Sequence, residues 1–342
     1  MSSPLLQTSN QKQKFKIALN TWFIENRKDY PWRRTQDPYA ILVSELMLQQ
    51  TQISTVIERG YYTRWLEKFP NWETLAQATQ EQVLSAWQGL GYYNRARRLH
   101  ELAQIIVSEY DGQLPKDFDT LLSLKGIGDY TAAAVSAFAF DQAYPLVDGN
   151  VIRLLSRIYN YRKPIDKQPG KGHILSWATE LLDTKNPCVY NAAIMEIGQQ
   201  ICKKKPQCLI CPISNFCQAK DFQPEVLPIK KNRTKITHLD EHAIICVHNN
   251  QILLAQETGS RRKGFWKLPT RSIQAVKPLM LALNFSYAIT RYKVQLYLYV
   301  AKPNLKVAQP QEDESWFEIN DLKELPLGSP YKKAIQKYLT QG

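Results

Sequence analysis

Four cysteines crowd into sixteen residues: Cys202, Cys208, Cys211 and Cys217, spaced C-x5-C-x2-C-x5-C with no histidine partner. Whatever joins those thiols holds that stretch of backbone in one tight loop, which constrains the fold more than any other feature. Cys188 and Cys246 stand apart. In a reducing compartment such clustering favours a metal or cluster site over disulfides. Thiolates suit zinc or an iron–sulfur cluster. A structural zinc site would show two short paired spacings. Here only the middle pair is short, so a single loop wrapped around one cubane cluster fits better.

The chain has 342 residues, enough for two or three compact units. Lys and Arg number 44 against 31 acids, a formal charge of +13. That excess suggests a polyanionic partner, nucleic acid or an acidic membrane surface, although a merely soluble basic protein has the same charge. Residues Met1–Lys14 are polar and lack the apolar run of a signal peptide. The longest apolar stretch, Ala132–Phe140, is too short to span a bilayer. An intracellular, soluble protein is expected.

From Lys12 to Ala219 apolar residues recur at helical intervals, as in Leu42, Leu46, Ile53 and Ile57. Asp37-Pro38, Phe69-Pro70, Leu114-Pro115 and Asn186-Pro187 punctuate them. Residues 1–220 therefore read as an all-helical region in two lobes. Residues 221–240 hold two prolines and the basic run Lys230, Lys231, Arg233 and Lys235, an exposed linker. Residues 241–342 read as a small α+β domain. His242–Val247 and Ile252–Gln256 flank Asn249-Asn250, a hairpin signal. Tyr292–Val300 alternates in period two, and the last helix is expected at Tyr331–Leu339.

Three further motifs carry chemistry. In Leu124-Lys125-Gly126-Ile127-Gly128-Asp129-Tyr130-Thr131, two glycines permit a tight turn, and the following helix offers free N–H groups to an anion. With Leu121, Leu124 and Ile127 packing the flanks, this is a helix-hairpin-helix pattern that grips a DNA phosphate; an ordinary helix–helix turn is the alternative. Glu45 sits among apolar residues, where desolvation would raise its pKa and make it an acid near neutral pH. Asp148 precedes the helical run Val151–Ile158 and can cap it while staying ionised. Two carboxyls pushed in opposite directions form a usable pair, yet nothing in the sequence places them together, and from these residues alone a surface glutamate and a plain N-cap aspartate is the favoured reading. Aromatic and amide residues interleave with basic ones at Gln49-Gln50-Thr51 and Gly89-Leu90-Gly91-Tyr92-Tyr93-Asn94-Arg95, a pattern suited to wedging into a base stack while arginine holds phosphate, or to packing a helix start.

The hairpin, the Val147-Asp148-Gly149-Asn150 segment and the cysteine loop together resemble the endonuclease III superfamily of DNA glycosylases. Pro31-Trp32-Arg33, Ser44-Glu45-Leu46-Met47-Leu48-Gln49-Gln50-Thr51 and Gly89-Leu90-Gly91-Tyr92-Tyr93 narrow the resemblance to MutY-type adenine DNA glycosylases. That resemblance implies removal of adenine mispaired with 8-oxoguanine or guanine in duplex DNA. Glu45 matches the general acid at adenine N7. Asp148 matches the carboxylate that stabilises the oxocarbenium-like sugar, with Asn150 orienting it. Tyr130 stands where lyase-active relatives carry lysine, which implies a monofunctional enzyme. Trp32, Arg33 and Glu196 match the adenine pocket. Gln50 and Tyr92 match the duplex wedge, Thr51 and Leu90 lie close to the opposing 8-oxoguanine, and Gly126 and Gly128 form the phosphate hairpin. Cys202, Cys208, Cys211 and Cys217 match the ligands of a [4Fe–4S] cluster, with five residues in the first interval where the family usually has six. The last hundred residues resemble a Nudix-like 8-oxoguanine-sensing domain. It lacks the glutamate-rich helix of an active hydrolase, since Lys267–Tyr292 contains no Asp or Glu. Ile289-Thr290-Arg291 stands where relatives carry Phe-Ser-His, with Thr290 keeping the hydroxyl. The resemblance implies a monomer in the cytoplasm, at the nucleoid if bacterial. A pyrimidine glycosylase-lyase and a silent iron–sulfur DNA-binding protein are the alternatives. Tyr130 and the C-terminal domain argue against the first, the pair Glu45 and Asp148 against the second.

Overall fold

The computed structural model describes residues 6–230, 236–259, 263–289 and 291–340. The chain forms two compact units, each drawn from two stretches: Met1–Gln49 with Gln113–Arg233, and Gln50–Gly112 with Thr234–Gly342.

The first unit is helical. Its opening helix, Ser9–Asn26, starts with a capping box in which the Thr8 and Gln11 side chains each accept the other's backbone N–H. Phe15, Leu19 and Phe23 recur every fourth residue and face Tyr190, Ile194 and Ile197 of the Pro187–Gln200 helix. Val151, Leu154 and Leu155 of Gly149–Ile158 and Ile174 and Leu181 of Gly170–Leu181 complete this core. Each such aliphatic side chain contributes about 1.5–3 kcal/mol when withdrawn from water. The Pro38–Leu48 helix is buried from Tyr39 through Met47 and lies against Asp129–Phe140, itself buried from Thr131 through Ala137. A helix without a polar face has to sit inside, so Glu45 is carried into the interior by its neighbours. Beyond Ile201 the cysteine segment turns through short 3-10 stretches at Cys208–Ile210 and Ser214–Phe216. The Phe216 ring meets Phe15 edge-on at 5.8 Å, which seats the loop on the first helix.

In the segment expected to be an exposed linker, residues 221–230 are exposed at most positions and anchored at two. Pro224 and Leu227 are buried, Arg157 Nε donates to Pro224 O at 2.7 Å, and Ile165 N donates to Ile229 O. Lys231, Arg233 and Lys235 lie outside the described residues.

The second unit begins with short helices at Ile53–Glu58, Tyr61–Lys68, Trp72–Gln77 and Gln80–Ala86, then the longer Asn94–Glu109. Asn71 and Thr79 cap two of them by accepting N–H groups three residues on. Trp65 and Trp87 meet edge-on at 5.2 Å at the centre. The remainder is α/β. Strands β1 (Thr237–Ile245), β2 (Val247–His248), β3 (Gln251–Gln256), β4 (Trp266–Lys267), β5 (Met280–Ile289), β6 (Tyr292–Val300) and β7 (Glu314–Glu318) form two sheets. One has the order β1-β6-β5, with β1 and β6 parallel; the other joins β2-β3-β4, with β7 on β3. Asn249 and Asn250 make the expected turn, both at positive φ (46° and 61°), linking β2 to β3. The expected first arm, His242–Val247, is divided instead. Ala243 and Ile245 enter one core and Ile244 and Cys246 another, so His242–Ile245 stays in β1 beside β6 and only Val247–His248 pairs with β3. The final helix, Ser329–Leu339, starts two residues before Tyr331, because Pro330 fits a first helical turn. Among the described residues no helix is long and apolar enough to cross a membrane.

Within this second unit the helical part and the C-terminal part are joined. The Tyr93 and Phe265 rings lie 3.9 Å apart, Gln88 Nε2 donates to Leu327 O at 2.7 Å, and Lys332 Nζ donates to Gln88 Oε1 at 3.1 Å.

Candidate active site

Glu45 lies on the buried Pro38–Leu48 helix, which Asp37 starts by accepting the Tyr39 and Ala40 N–H groups. Its side chain is 6% exposed. Tyr130, in the first turn of Asp129–Phe140, donates its hydroxyl to Glu45 Oε2 at 2.8 Å. Burial drives Glu45 from an ordinary 4.5 up to about 7; the Tyr130 hydrogen bond opposes the rise, and the negative charge of Asp148 adds to it. Burial, then the charges of Glu45 and Asp148, hold the Tyr130 hydroxyl well above its usual range, so it remains a donor.

Asp148 is the N-cap of Gly149–Ile158, as its place before that helix foretold. Its Oδ1 accepts Asn150 N at 2.9 Å and Val151 N at 2.7 Å, and its Oδ2 accepts Asn150 Nδ2 at 2.7 Å. Asn150 Oδ1 in turn accepts Arg153 Nη2 at 2.8 Å. Arg153 also donates to Gly198 O at 2.6 Å and to Cys202 O at 2.7 Å. A Cβ on Gly198 would stand 2.7 Å from Asn150 Cβ, so glycine there is what lets Asn150 close down. Sequence reasoning found Asp148 and Asn150 and missed Arg153 and Gly198; an arginine three residues after Asn150 in an apolar helix was the available signal.

Glu45, Tyr130, Asp148 and Asn150 thus share one electrostatic site. Arg33 and Glu196 form a second group. Glu196 is 1% exposed and pairs with Arg33 Nη2 at 2.5 Å, while its Oε1 accepts Lys28 N at 3.2 Å and the Gln200 amide. Arg33 lies over the Tyr30 ring, on which Trp32 stacks at 5.2 Å. In the hairpin Gly126 has φ +99°, Ile127 N donates to Leu124 O, and Gly128 caps the next helix. Leu121, Leu124 and Ile127 are buried, and the space above Gly128 is open to 4 Å, enough for an anion to approach the backbone.

Gln50, Thr51, Leu90 and Tyr92 belong to the second unit. Gln50 and Tyr92 are exposed with left-handed backbone, φ 58° and 47°. Leu90 is buried. Arg95 Nη2 donates to Leu90 O, Gly91 O and Thr51 Oγ1. Thr290 lies outside the described residues.

The four cysteines line one cavity, closed by Leu154, Ile158, Ile201 and Ile213. Arg157, 1% exposed, ties the loop: it donates to Cys202 Sγ at 3.1 Å, Lys203 O at 2.6 Å and Lys204 O at 3.1 Å. Burial pushes Cys211 up to about 12 and Cys217 up to about 11, and both feel the other thiols. Among the described residues no three Cys, His, Asp or Glu side chains meet at a point where one metal ion would sit. The four thiols share the lining of that cavity, a donor set of the soft kind that iron–sulfur clusters and zinc take.

The sequence model of the HhH-GPD superfamily of base excision DNA repair proteins matches residues 43–175. The adenine DNA glycosylase of Mus musculus is 40% identical over 215 residues, covering 60% of this chain and 41% of that protein. That of Mycolicibacterium smegmatis is 43% identical over 203 residues, covering 58% and 67%. A solved thermostable thymine-DNA glycosylase superposes with a TM-score of 0.56 at 28% identity, covering 62% of this chain and 98% of its own. The chain spans about two fifths of the length of the mammalian relatives it matches. By the helical fold, the hairpin and these matches, the chain belongs to the adenine DNA glycosylase family of the HhH-GPD superfamily.

Proposed function

We propose that this protein is a monofunctional DNA glycosylase that hydrolyses the N-glycosidic bond of adenine mispaired with 8-oxoguanine or guanine. The observation that carries the reading is the carboxyl pair: Glu45 buried and raised to about 7, beside an Asp148 seated on helix N–H donors. A carboxyl at that value is half protonated near neutral pH and can give a proton to a leaving base. A carboxylate whose lone pairs are already satisfied by fixed dipoles can stabilise a cationic sugar without reorganising.

In this reading adenine is flipped out of the duplex, at a cost of a few kcal/mol that a mispair lowers. Arg33, Glu196 and Trp32 receive it; the Arg33–Glu196 pair supports a polar recognition edge beside a stacking ring. Glu45 protonates N7 as the glycosidic bond breaks. Asp148, oriented by Asn150, shields the oxocarbenium-like sugar until water adds. Tyr130 has no amine, so no Schiff base forms, and its hydrogen bond to Glu45 gives it a positioning role instead. Gln50 and Tyr92 wedge the duplex, Thr51 and Leu90 meet the opposing base, and Gly126 and Gly128 hold a phosphate.

Cys202, Cys208, Cys211 and Cys217 would hold a [4Fe–4S] cluster, which supplies a rigid cross-link across the loop. A helical region through residue 220, a basic connection at 221–240 and a Nudix-like 8-oxoguanine-sensing domain from 241 follow in order, with Thr290 supplying the hydroxyl that matches the lesion-sensing segment of relatives. The enzyme acts as a monomer on duplex DNA, in the cytoplasm. Substitution Glu45→Gln tests the assignment: mismatch binding is expected to stay at the native level while adenine release stops. Undiminished single-turnover release by that variant would remove Glu45 from the mechanism.

A further inference from the structure

Two turns of the second unit carry backbone that side-chain-bearing residues avoid. φ is +97° at Gly89, +69° at Gly91 and +47° at Tyr92 in one turn, and +58° at Gln50 in the other. Tyr92 and Gln50 are also exposed. Such conformations persist only where the surroundings over-determine them. Here the surroundings converge on one guanidinium. Arg95, 8% exposed, donates from Nη2 to Leu90 O at 3.1 Å, Gly91 O at 3.0 Å and Thr51 Oγ1 at 3.4 Å, and from Nε to Tyr92 O at 3.4 Å. It lies 5.4 Å from the Trp87 ring centre and 5.5 Å from that of Tyr92. Only a planar fork of donors can reach several carbonyls of one turn and a hydroxyl of another at once.

We propose that Arg95 is the positioning residue of the duplex wedge: it locks the Gln50–Thr51 and Leu90–Tyr92 turns into one rigid head that enters the base stack already ordered. The proposal rests on the reading of Gln50, Thr51, Leu90 and Tyr92 as the groups that displace the target base. Arg95 itself touches no base. Its Nε and Nη2 donate to the carbonyls and the hydroxyl of the two turns, so its effect is felt where unstacking is required. Lysine, with one point of charge, cannot hold both turns.

The experiment uses the full chain and the variant Arg95→Lys, with its fold checked by circular dichroism and thermal melting. The probe is a duplex with one 8-oxoguanine:adenine pair and 2-aminopurine beside it, whose fluorescence rises when the wedge unstacks it. Arg95→Lys is expected to bind undamaged duplex as the native protein does. The fluorescence rise should be lost, and adenine release should slow by about a hundredfold, the order set by losing charge-assisted hydrogen bonds. On a second duplex, with the adenine already unpaired in a small bubble, release should return to near the native rate. If Arg95→Lys folds poorly, Trp87→Phe takes its place: it keeps a ring beneath the guanidinium, loses the bond from Trp87 Nε1 to Gly91 O, and should show a smaller loss in the same pattern. An unchanged fluorescence rise, or equal slowing on paired and bubble duplexes, would overturn the proposal. Absence of adenine release by the native protein would instead refute the glycosylase reading, and the fluorescence arm would still decide the role of Arg95.

Discussion

At the scale of single residues, burial lifts Glu45, the proposed acid, to about 7. Glu45 at about 7 is protonated below that pH, so the single-turnover rate should be flat in mild acid and fall tenfold per pH unit above about 7. The Tyr130 hydrogen bond lowers Glu45, so Tyr130→Phe should move this alkaline limb to higher pH. A limb that stays put or moves to lower pH would contradict the assignment. The same burial has a stability sign. A carboxyl whose folded pKa is raised favours the folded state fully below about 4.5, and loses that advantage as pH climbs through about 7. By pH 8 the loss amounts to about 3 kcal/mol. Glu45→Gln should therefore melt higher than the native protein at pH 8 and no higher at pH 4, measured by thermal denaturation. Function and stability pull in opposite directions at this one side chain.

At the scale of elements, turns and loops carry what the helices support. Gly89 has φ +97°, and a Cβ there would fall 2.1 Å from Tyr61 Oη. Gly89→Ala should cost about 1–3 kcal/mol, read as a lower urea midpoint, with Gly128→Ala as the benign comparison because its surroundings are open. In the cysteine loop, Arg157→Met leaves the carbonyls of Lys203 and Lys204 and the Cys202 thiol without their buried donor. That variant should lose thermal stability and, with the proposed cluster, iron content; full iron and sulfide per chain would argue that the cysteines alone order the loop. Much of this layer was legible in the sequence. Helical periodicity, the Asp148 cap and the Asn249-Asn250 turn are local signals, and each survives in the structure; the closely spaced cysteines line one cavity. The pairing of β1 with β6 was not legible, because parallel partners lie far apart in sequence and alternation alone does not name them. Arg153 and Arg157 were hidden for a related reason: a buried arginine is defined by distant carbonyls, and a sequence records only the arginine. Arg95 stood in a motif whose arginine was expected on phosphate, and burial turns it to protein carbonyls instead.

At the scale of the whole molecule, the sequence could say that Glu45 and Asp148 differ in setting but not that they meet. Folding supplies that link, through Tyr130 from a third helix and the charge of Asp148 felt at Glu45. The formal charge of +13 belongs to this scale too. Binding to undamaged duplex should weaken steeply with salt, since each neutralised phosphate releases counterions. A salt-independent affinity would deny the polyanionic partner. The central claim is adenine removal without strand cleavage. Its most direct test is a single-turnover assay on a duplex with one 8-oxoguanine:adenine pair, labelled on the adenine strand and run with and without alkali. A nick that appears only after alkali is the predicted result. A nick without alkali, or an intact strand in both lanes while the duplex stays bound, would contradict it.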